Sequence, residues 1–247
     1  MKLNVYLARC GVASRRKSDE LIKKGKVTIN GRTVLEPFAD VTESSDSVKV
    51  SGKTVGLQKM TYLALNKPLG YTCTLKDRFA EHKVTELIPP SMGKVFPAGR
   101  LDKNTSGLII LTTDGNFAQH LTHPSFEVEK EYEAEVSPLF DSRHLFLLRK
   151  GVAENGETLR ASSGRIIRNF PKQDKSLISI VMKEGRKREV RRMFEKLRYS
   201  VLSLKRVRIG NVELGELEIG KYRQLTGQEI AFFCKRVSRK NIHEQHV

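Results

Sequence analysis

One aspartate in a polar turn is the residue of this chain whose type and position best suit catalysis. Asp102 stands in the segment 99–107, with the sequence GRLDKNTSG, which leads directly into the apolar run 108–111. A carboxylate in a turn that is supported by a buried strand is well placed to face a cleft. Aspartate is also a common turn-forming residue, so the pattern alone leaves a purely structural role open.

The densest positive charge lies in residues 183–208, which hold 11 Lys and Arg against 3 Glu. Residues 184–197 are predicted to be helical, because four residues at i, i+3, i+4 and i+7 spacing would form one apolar face, Val190, Met193, Phe194 and Leu197. Arg188 and Arg192 should point away from this face and suit phosphate contact. Arg191 lies at its edge and suits partial burial against a carboxylate. An ordinary solvated basic helix would show the same spacing.

The overall composition indicates a globular chain with a polyanionic partner. The 247 residues are 38% hydrophobic and 30% charged, which is typical of a folded protein long enough to bury a core. Lys and Arg number 45 against 28 Asp and Glu, which makes a formal net charge of +17. This excess favours nucleic acid as the partner over an anionic membrane, although a highly soluble surface would also account for it.

Several other classes of protein find no support in the motifs. The chain has no phosphate-binding loop, no GxGxxG and no GxSxG pattern, so nucleotide hydrolysis, dinucleotide binding and serine hydrolase chemistry are not indicated. Cys10, Cys73 and Cys234 lack zinc-ligand spacing, and His120 with His123 lacks a clear third ligand, so no metal is expected. No apolar run has membrane-spanning length and no signal-peptide pattern is present, so we expect a cytoplasmic protein.

The elements that must position these residues fall into two predicted domains. Residues 1–57 should form a small α+β unit in which Leu3–Arg9 is helical, Ser14 caps a second helix and Asn30-Gly31 turns a hairpin. Residues 1–59 hold 12 Lys and Arg against 6 Asp and Glu. RNA contact and a solvated surface explain this basic character equally well.

A larger α+β domain is predicted over residues 61–233, after a linker at residues 56–60. Residues 117–121 are expected to begin a helix, which precedes the basic helix described above. The tail 234–247 has no apolar pattern and is predicted to be mobile. The strands of this domain are expected near 61–65, 108–111, 131–136, 177–181 and 201–212.

Four segments, in order and at matching spacing, resemble the motifs of the pseudouridine synthases, specifically the RsuA/RluB/RluE/RluF branch. They are 98–115 (AGRLDKNTSGLIILTTDG) for the catalytic motif, 66–70 (NKPLG), 129–132 (EKEY), and 184–194 (EGRKREVRRMF) with its continuation at 204–210 (LKRVRIG). Residues 1–55 resemble the alpha-L RNA-binding fold, which is named after a small-subunit ribosomal protein and precedes the catalytic domain in this branch. The resemblance spans residues 2–230.

The resemblance implies an α+β fold in which a small RNA-binding domain precedes a catalytic domain with a mixed, mainly antiparallel sheet. It implies that Asp102 is the catalytic carboxylate and that Arg191 pairs with it. Tyr132 would lie against the target uracil and assist proton transfer at ring carbon C5, while Lys67 would belong to a strand that supports the site. Contact with substrate or RNA is expected for a set of basic residues, Arg100, Lys67, Arg186, Arg188, Arg192, Arg15, Arg16, Lys23 and Lys24.

The implied activity is the isomerisation of a uridine in ribosomal RNA to pseudouridine, with the base flipped into the site. The bond between ribose C1′ and uracil N1 breaks, the uracil rotates, and it rejoins through C5. Since nothing is oxidised and no group is transferred, no cofactor is needed. Asp102 would either attack the ribose C1′ or take a proton from the neighbouring ribose carbon, and the sequence does not decide between them.

Three alternatives to the favoured substrate or activity stay open. The segment GRKREVRR resembles the large-subunit, RluB-type enzymes that act on 23S rRNA more than the small-subunit enzyme that acts on 16S rRNA. A ribosome-assembly factor that binds RNA without catalysis would explain the charge, and a metal-dependent nuclease is a further rival. We expect a monomer that acts on ribosomal RNA or on an assembling ribosomal subunit, without membrane or metal partners.

Overall fold

The computed structural model describes residues 1–74, 81–154 and 156–234, and the chain divides into two compact units. The first unit combines Met1–Thr61 with Pro90–Lys94, and the second combines Tyr62–Pro89 with the chain from Val95 onward. The tail that was predicted to be mobile lies, apart from Cys234, outside the described residues. No helix in the described ranges combines the length and the apolar character that a membrane crossing needs.

The first unit is a pair of short helices on a small antiparallel sheet with strand order β2-β1-β3-β4. Ser14 begins the second helix as predicted, since its hydroxyl accepts a hydrogen bond from the Lys17 backbone N–H at 3.4 Å. Asn30 and Gly31 turn the first hairpin with φ angles of 50° and 81°, as a tight two-residue turn requires. The elements are α1 (Leu3–Arg9), α2 (Arg15–Lys23), β1 (Val27–Ile29), β2 (Arg32–Thr33), β3 (Val48–Val50) and β4 (Lys53–Thr54).

The second unit is built on one large sheet. Its elements, in chain order, are β5 (Tyr62–Lys67), β6 (Phe96–Ala98), β7 (Ser106–Thr112), α3 (Gly115–Thr122), β8 (Lys130–Ser137), α4 (His144–Lys150), β9 (Val152–Glu154), β10 (Glu157–Leu159), β11 (Ser163–Phe170), β12 (Lys175–Met182), α5 (Glu189–Lys196), β13 (Ser200–Ile209), β14 (Val212–Glu213) and β15 (Tyr222–Gln224). Residues 227–234 are helical. Apart from this sheet, β9 and β10 pair with each other as a separate hairpin.

The large sheet is mixed and mainly antiparallel, which confirms the expected fold class. Its strand order within the described residues is β11-β12-β8-β13-β7-β5-β15, with β14 paired to β13 and β6 paired to β7. The pairing of β13 with β7 is parallel, and the neighbouring pairings of β8 and β5 with these two strands are antiparallel. β7 therefore lies in the interior of the sheet, and its residues 107–112 are all buried.

The parallel pairing depends on a glycine at the start of β7. Gly107 has a φ of +96°, and a Cβ atom on it would lie 2.3 Å from the carbonyl oxygen of Arg206. No other residue type allows the two backbones to approach so closely in this conformation. Gly107 thereby brings the end of the Asp102 loop against β13, which carries a second group of basic residues.

The basic helix is shorter than the sequence predicted. It was expected over 184–197, whereas α5 begins at Glu189 and ends at Lys196. Arg188 has a φ of 52°, a left-handed conformation that interrupts an α-helix, so residues 184–188 form a loop before α5. The sequence also gave no indication of β11, because this strand lies at the end of the sheet and leaves most of its side chains exposed or half-buried.

Candidate active site

Asp102 lies in the loop between β6 and β7, and its neighbours in the loop are fixed by the chain that follows β5. The backbone N–H of Gly70 donates to the carbonyl of Lys103 at 3.0 Å. The sulfur of Cys73 accepts a hydrogen bond from the backbone N–H of Leu101 at 3.3 Å. The position of Asp102 in the fold is thus determined on both sides of it by residues about 30 positions away in the sequence, which no local pattern reveals.

Lys67, at the end of β5, supports the same loop from inside the protein. Its ammonium donates to the carbonyls of Thr105 at 2.8 Å and Pro68 at 2.9 Å. Burial lowers the pKa of Lys67, while the nearby Cys73 and Asp102 act in the opposite direction. Because its side chain is fully buried, Lys67 does not reach RNA, and the expectation of RNA contact is corrected to the supporting role.

Arg191 also holds the loop, but through backbone carbonyls. Its guanidinium donates from Nη2 to the carbonyl of Asn104 at 2.7 Å and from Nη1 to the carbonyl of Val201 at 3.1 Å. The side chain is buried as expected, and burial lowers the pKa of Arg191 while the negative charge of Asp102 raises it. Among the ion pairs of the described residues none joins Arg191 to Asp102, so the expected direct pair is corrected to an attraction at longer range.

Asp102 and Tyr132 meet in one cleft of about 880 Å³ within the second unit. Asp102 is half-buried in its wall, and Tyr132 projects from β8 with 9% of its surface exposed. The size suits a flipped nucleotide, because ligand pockets are typically ~300–1,000 Å³. Other cleft-lining residues come from the Asp102 loop, the loop before α5 and the strands β8 and β13, namely Arg100, Thr105, Lys130, Glu184, Arg186, Lys187, Arg188, Glu189, Leu204 and Arg206.

Arg206 of β13 is a cleft residue to which sequence analysis assigned no role. It is in register with Tyr132 on the neighbouring strand and is only 3% exposed. Its Nε donates to the carbonyl of Leu108 at 2.7 Å and its Nη1 donates to the Tyr132 hydroxyl at 3.4 Å. The guanidinium carbon also lies 5.9 Å from the centre of the Tyr132 ring, within the range of a cation–π contact. Arg206 therefore orients the tyrosine from the side.

Lys130 is a second cleft residue that sequence analysis did not single out. It stands two residues before Tyr132 on β8, and alternate residues of a strand share a face. Its ammonium donates to the carbonyl of Val128 at 2.9 Å. Burial and the positive charge of Arg206 lower the pKa of Lys130 to about 8, against the opposing effect of Glu189. Its place in the segment 129–132 and its two-residue spacing from Tyr132 were the sequence signals for this position.

Glu189 closes the cleft at the beginning of α5. Its side chain is 5% exposed and accepts a hydrogen bond from the backbone N–H of Arg186 at 3.1 Å. Burial raises the pKa of Glu189, and the nearby carboxylate of Glu184 raises it further. The bond to Arg186 holds the loop 184–188 against α5, so that this loop forms one wall of the cleft.

The arginines predicted to bind RNA differ in whether they form ion pairs within the protein. Arg100 is exposed at the cleft. Arg186 and Arg188 also line it, where they form ion pairs with Glu184 at 2.6 Å and with Glu195 at 3.4 Å. These pairs are partly exposed, and exposed pairs are weak enough for a phosphate to compete with them.

Arg192 was predicted to contact phosphate but is occupied within the protein. It forms ion pairs with Glu154 and, at 3.1 Å, with Glu157 of the β9–β10 hairpin. It does not belong to the residues that line the cleft. The prediction for Arg192 is therefore corrected: this side chain attaches α5 to the hairpin, a role that required knowledge of the tertiary fold.

The basic residues predicted in the first unit are on its surface. Arg15, Arg16 and Lys23 are exposed on α2, and Lys24 is exposed directly after it. No ion pair within the described part of this unit involves any of the four, since its pairs are Lys2 with Asp40 and Arg9 with Glu43. Their charges are thus available to an external polyanion.

The pair of histidines considered as a metal site has other contacts. His120 packs edge-on against Phe126, with ring centres 5.0 Å apart, and His123 Nδ1 lies 2.8 Å from the Ser125 hydroxyl. Within the described ranges, no three His, Cys, Asp or Glu side chains are grouped so that they could hold a metal ion.

Comparison with known proteins gives a consistent picture over both units. Residues 61–196 match the family model described as RNA pseudouridylate synthase, and residues 1–46 match the S4 domain. The chain is 39% identical over 230 residues to the ribosomal large subunit pseudouridine synthase B of Bacillus subtilis (strain 168), covering 93% of each chain. It is 37% identical over 243 residues to a protein named as an uncharacterized RNA pseudouridine synthase of Aquifex aeolicus (strain VF5), covering 98% of this chain and 97% of the relative.

A solved structure with the description pseudouridylate synthase is similar over nearly the whole fold. Its TM-score is 0.65 at 28% sequence identity, and the match covers 94% of this chain and 99% of the other. The similarity therefore extends across both units rather than one.

Proposed function

Since the chain belongs to the RNA pseudouridylate synthase family, we propose that it isomerises a specific uridine of ribosomal RNA to pseudouridine. The observation that carries the proposal is the meeting of Asp102 and Tyr132 in one cleft of nucleotide size. A ribosome-assembly factor without catalysis would have no use for a carboxylate and a tyrosine ring at this place. An isomerase needs both, one for the ribose and one for the base.

In this reaction Asp102 supplies the negative oxygen that acts on the ribose. The positive charges of Lys67 and Arg191 lie close enough to interact electrostatically with its carboxylate. Tyr132 lies against the uracil, where stacking of a base on an aromatic ring is worth about 1–3 kcal/mol. Arg191 acts as a positioning residue, because it holds Asn104 and with it the loop that carries Asp102.

Binding of the RNA is assigned to the basic residues around the cleft and on the first unit. Flipping a base out of its stack costs a few kcal/mol, and phosphate contacts elsewhere offset that cost. Arg100, Arg186 and Arg188 are placed for the nucleotides next to the target. The four exposed residues of the first unit, Arg15, Arg16, Lys23 and Lys24, are assigned to other phosphates of the same RNA, in keeping with an S4 domain as the RNA-binding domain.

Large-subunit 23S rRNA is the substrate that we favour over 16S rRNA. Support comes from the identity of 39% with a Bacillus protein whose name states the large ribosomal subunit. We further propose that the enzyme works as a monomer in the cytoplasm, and that it uses neither a cofactor nor a metal. The last point follows from the reaction itself, which moves one bond and one proton without redox change or group transfer.

The test is chemical mapping of pseudouridine across rRNA from cells with and without this protein. One site in 23S rRNA should disappear and should return when the wild-type chain is supplied. Asp102→Asn should bind RNA but fail to restore the site. Asp174→Asn is a matched control, because Asp174 has a φ of 48° that asparagine adopts readily and its Oδ1 accepts from Leu139 N–H, which an amide oxygen also does.

The outcomes separate the proposal from its rivals. Loss of a 16S site would move the substrate to the small subunit while keeping the reaction. If no site disappears and Asp102→Asn behaves as wild type in cells, the chain is an assembly factor and not an isomerase. If purified protein shortens the RNA and EDTA abolishes the effect, the activity is that of a metal-dependent nuclease.

A further inference from the structure

Two buried cations flank Tyr132 on the inner surface of the cleft. Arg206 is 3% exposed and Lys130 is 9% exposed, and both line the cleft beside the tyrosine ring. Neither takes part in an ion pair among the described residues. Burying positive charge without a carboxylate partner is unfavourable for folding, so an arrangement of this kind indicates that the charges serve a ligand.

The hydrogen bonds of both groups leave donor capacity unused. Arg206 Nη2 is buried and has no hydrogen-bond partner, although Nε and Nη1 of the same guanidinium each have one. Lys130 has three N–H donors and is bonded to one acceptor, the carbonyl of Val128. A buried donor without an acceptor lowers stability, and such groups are rare in folded proteins.

The proposed reaction provides a partner of the right charge. When the bond between ribose C1′ and uracil N1 breaks, its electron pair stays on the base. The negative charge spreads over N1 and the two carbonyl oxygens, O2 and O4. It disappears when C5 bonds to C1′, C5 then releases its proton, and N1 gains one. Donors that are already oriented toward such a transient anion are usually the largest single contribution to enzyme catalysis.

We propose that Lys130 and Arg206 form a cationic site that stabilises the detached uracil as an anion, an inference that rests on the isomerase function above. Lys130 approaches from the strand of Tyr132, and Arg206 approaches from the neighbouring strand across the same ring. The base held against Tyr132 is thereby contacted at its edge by both donors. Asp102 acts on the ribose, whereas these two residues act on the base.

The charge state of Lys130 fits this role at neutral pH. Burial lowers its pKa to about 8, so the ammonium form is still the main one. The charged groups that face it are Arg206 on β13, which favours loss of the proton, and Glu189 on α5, which favours its retention. On its own strand, Tyr132 lies on the same face as Lys130, whereas the carboxylates of Glu131, Glu133 and Glu135 alternate to the opposite face.

The experiment compares two leaving groups in Lys130→Met and Arg206→Met. RNA containing uridine or 5-fluorouridine at the target site is incubated with excess enzyme, and cleavage of the original C1′–N1 bond is followed in nucleoside digests. Fluorine stabilises the uracil anion and so reduces the need for the cationic site. With uridine, each variant should be slower on the order of 10²-fold, the cost of removing one preorganised donor. With 5-fluorouridine, the loss should be several-fold smaller.

Matched controls remove the same charge nearby without touching the cleft. They are Lys183→Met, whose ammonium pairs with Glu127 at 3.0 Å, and Arg208→Met, whose guanidinium pairs with Glu131 at 3.0 Å. Both should keep the wild-type rate on either substrate. Thermal unfolding monitors folding, and if Arg206→Met does not fold, Arg206→Lys is used, which keeps the charge but not all three nitrogen donors.

The outcomes distinguish the inference from the function on which it rests. If the wild-type protein forms no pseudouridine, the proposed function fails. If it does, and the folded Lys130 and Arg206 variants lose the same factor with both substrates, the residues only position the site and the anion-stabilising role is refuted. Partial recovery of the uridine rate in Lys130→Arg, which restores the positive charge, supports the role.

Discussion

Replacing Arg191 tests how far this side chain stabilises the Asp102 loop, separately from any effect on the affinity for RNA. Methionine at this position fills similar space but loses the two charged hydrogen bonds to Asn104 at 2.7 Å and to Val201 at 3.1 Å. Hydrogen bonds to charged groups contribute about 1.5–3 kcal/mol each, so the gross loss is about 3–6 kcal/mol. Removing a buried guanidinium also removes its desolvation cost, which offsets several kcal/mol. We expect a net destabilisation of about 1–3 kcal/mol.

The effect on catalysis should be larger than the effect on stability suggests. Without Arg191 the carbonyl of Asn104 is released, and Asp102 stands two residues earlier in the same loop. A displacement of about 1 Å at a reacting group costs on the order of 10²-fold in rate. Arg191→Lys keeps the charge but has a single ammonium group to bond two separate carbonyls. Its rate should therefore lie between those of the wild type and Arg191→Met.

Three measurements test this expectation together. Urea unfolding gives the loss of stability, single-turnover isomerisation gives the rate, and a filter-binding titration gives the affinity for RNA. Lys196→Met, on the exposed face of the same helix, is the control and should be unchanged in all three. A destabilised Arg191→Met with a wild-type rate would refute the reasoning, because the loop would then hold its geometry without the guanidinium.

Three further expectations concern the strand junction, pH and RNA binding. Gly107→Ala should lower the free energy of unfolding by ~1–3 kcal/mol, because the φ of +96° at this position is strained for alanine and the new Cβ would meet the backbone of Arg206. An unchanged urea midpoint would contradict this. The single-turnover rate should fall as pH rises through about 8, where Lys130 with a pKa of about 8 loses its positive charge, and this decline should be absent in Lys130→Met. Replacing Lys23 and Lys24 by alanine should weaken RNA binding and reduce the slope of log affinity against log salt by roughly 0.7–0.9 for each lost phosphate contact, with an unchanged rate at saturating RNA.

The features that could be predicted from the sequence are those that local spacing determines. Helix α1 was predicted with its observed bounds, Leu3–Arg9, and the hairpin at Asn30-Gly31 lies where the turn residues indicated. The family resemblance is confirmed, and with it the mixed sheet. The helix and the hairpin rest on residues that are neighbours in the chain, so that their spacing already contains the geometry, whereas the mixed sheet was implied by the resemblance.

The features that could not be predicted depend on contacts between distant segments. Arg192 and Arg206 both stand in the basic stretch and look alike in the sequence. In the fold, Arg192 pairs with Glu154 and Glu157, while Arg206 is buried beside Tyr132. The strands packed against each arginine decide whether it forms a surface ion pair or becomes part of the cleft. The pattern of charges in the sequence carries no information about this packing.

The way in which positive charge surrounds Asp102 has a consequence for its chemistry. A guanidinium bonded directly to the carboxylate would occupy the oxygens that act on the ribose in the proposed reaction. Here Arg191 donates to the carbonyl of Asn104 and Lys67 donates to the carbonyl of Thr105, two and three residues after Asp102. Among the described residues, no hydrogen bond ends on the Asp102 side chain. Both cations still interact with it electrostatically. The same two side chains therefore fix the loop and place positive charge near Asp102, and in the proposed reaction the carboxylate oxygens stay uncovered for the substrate.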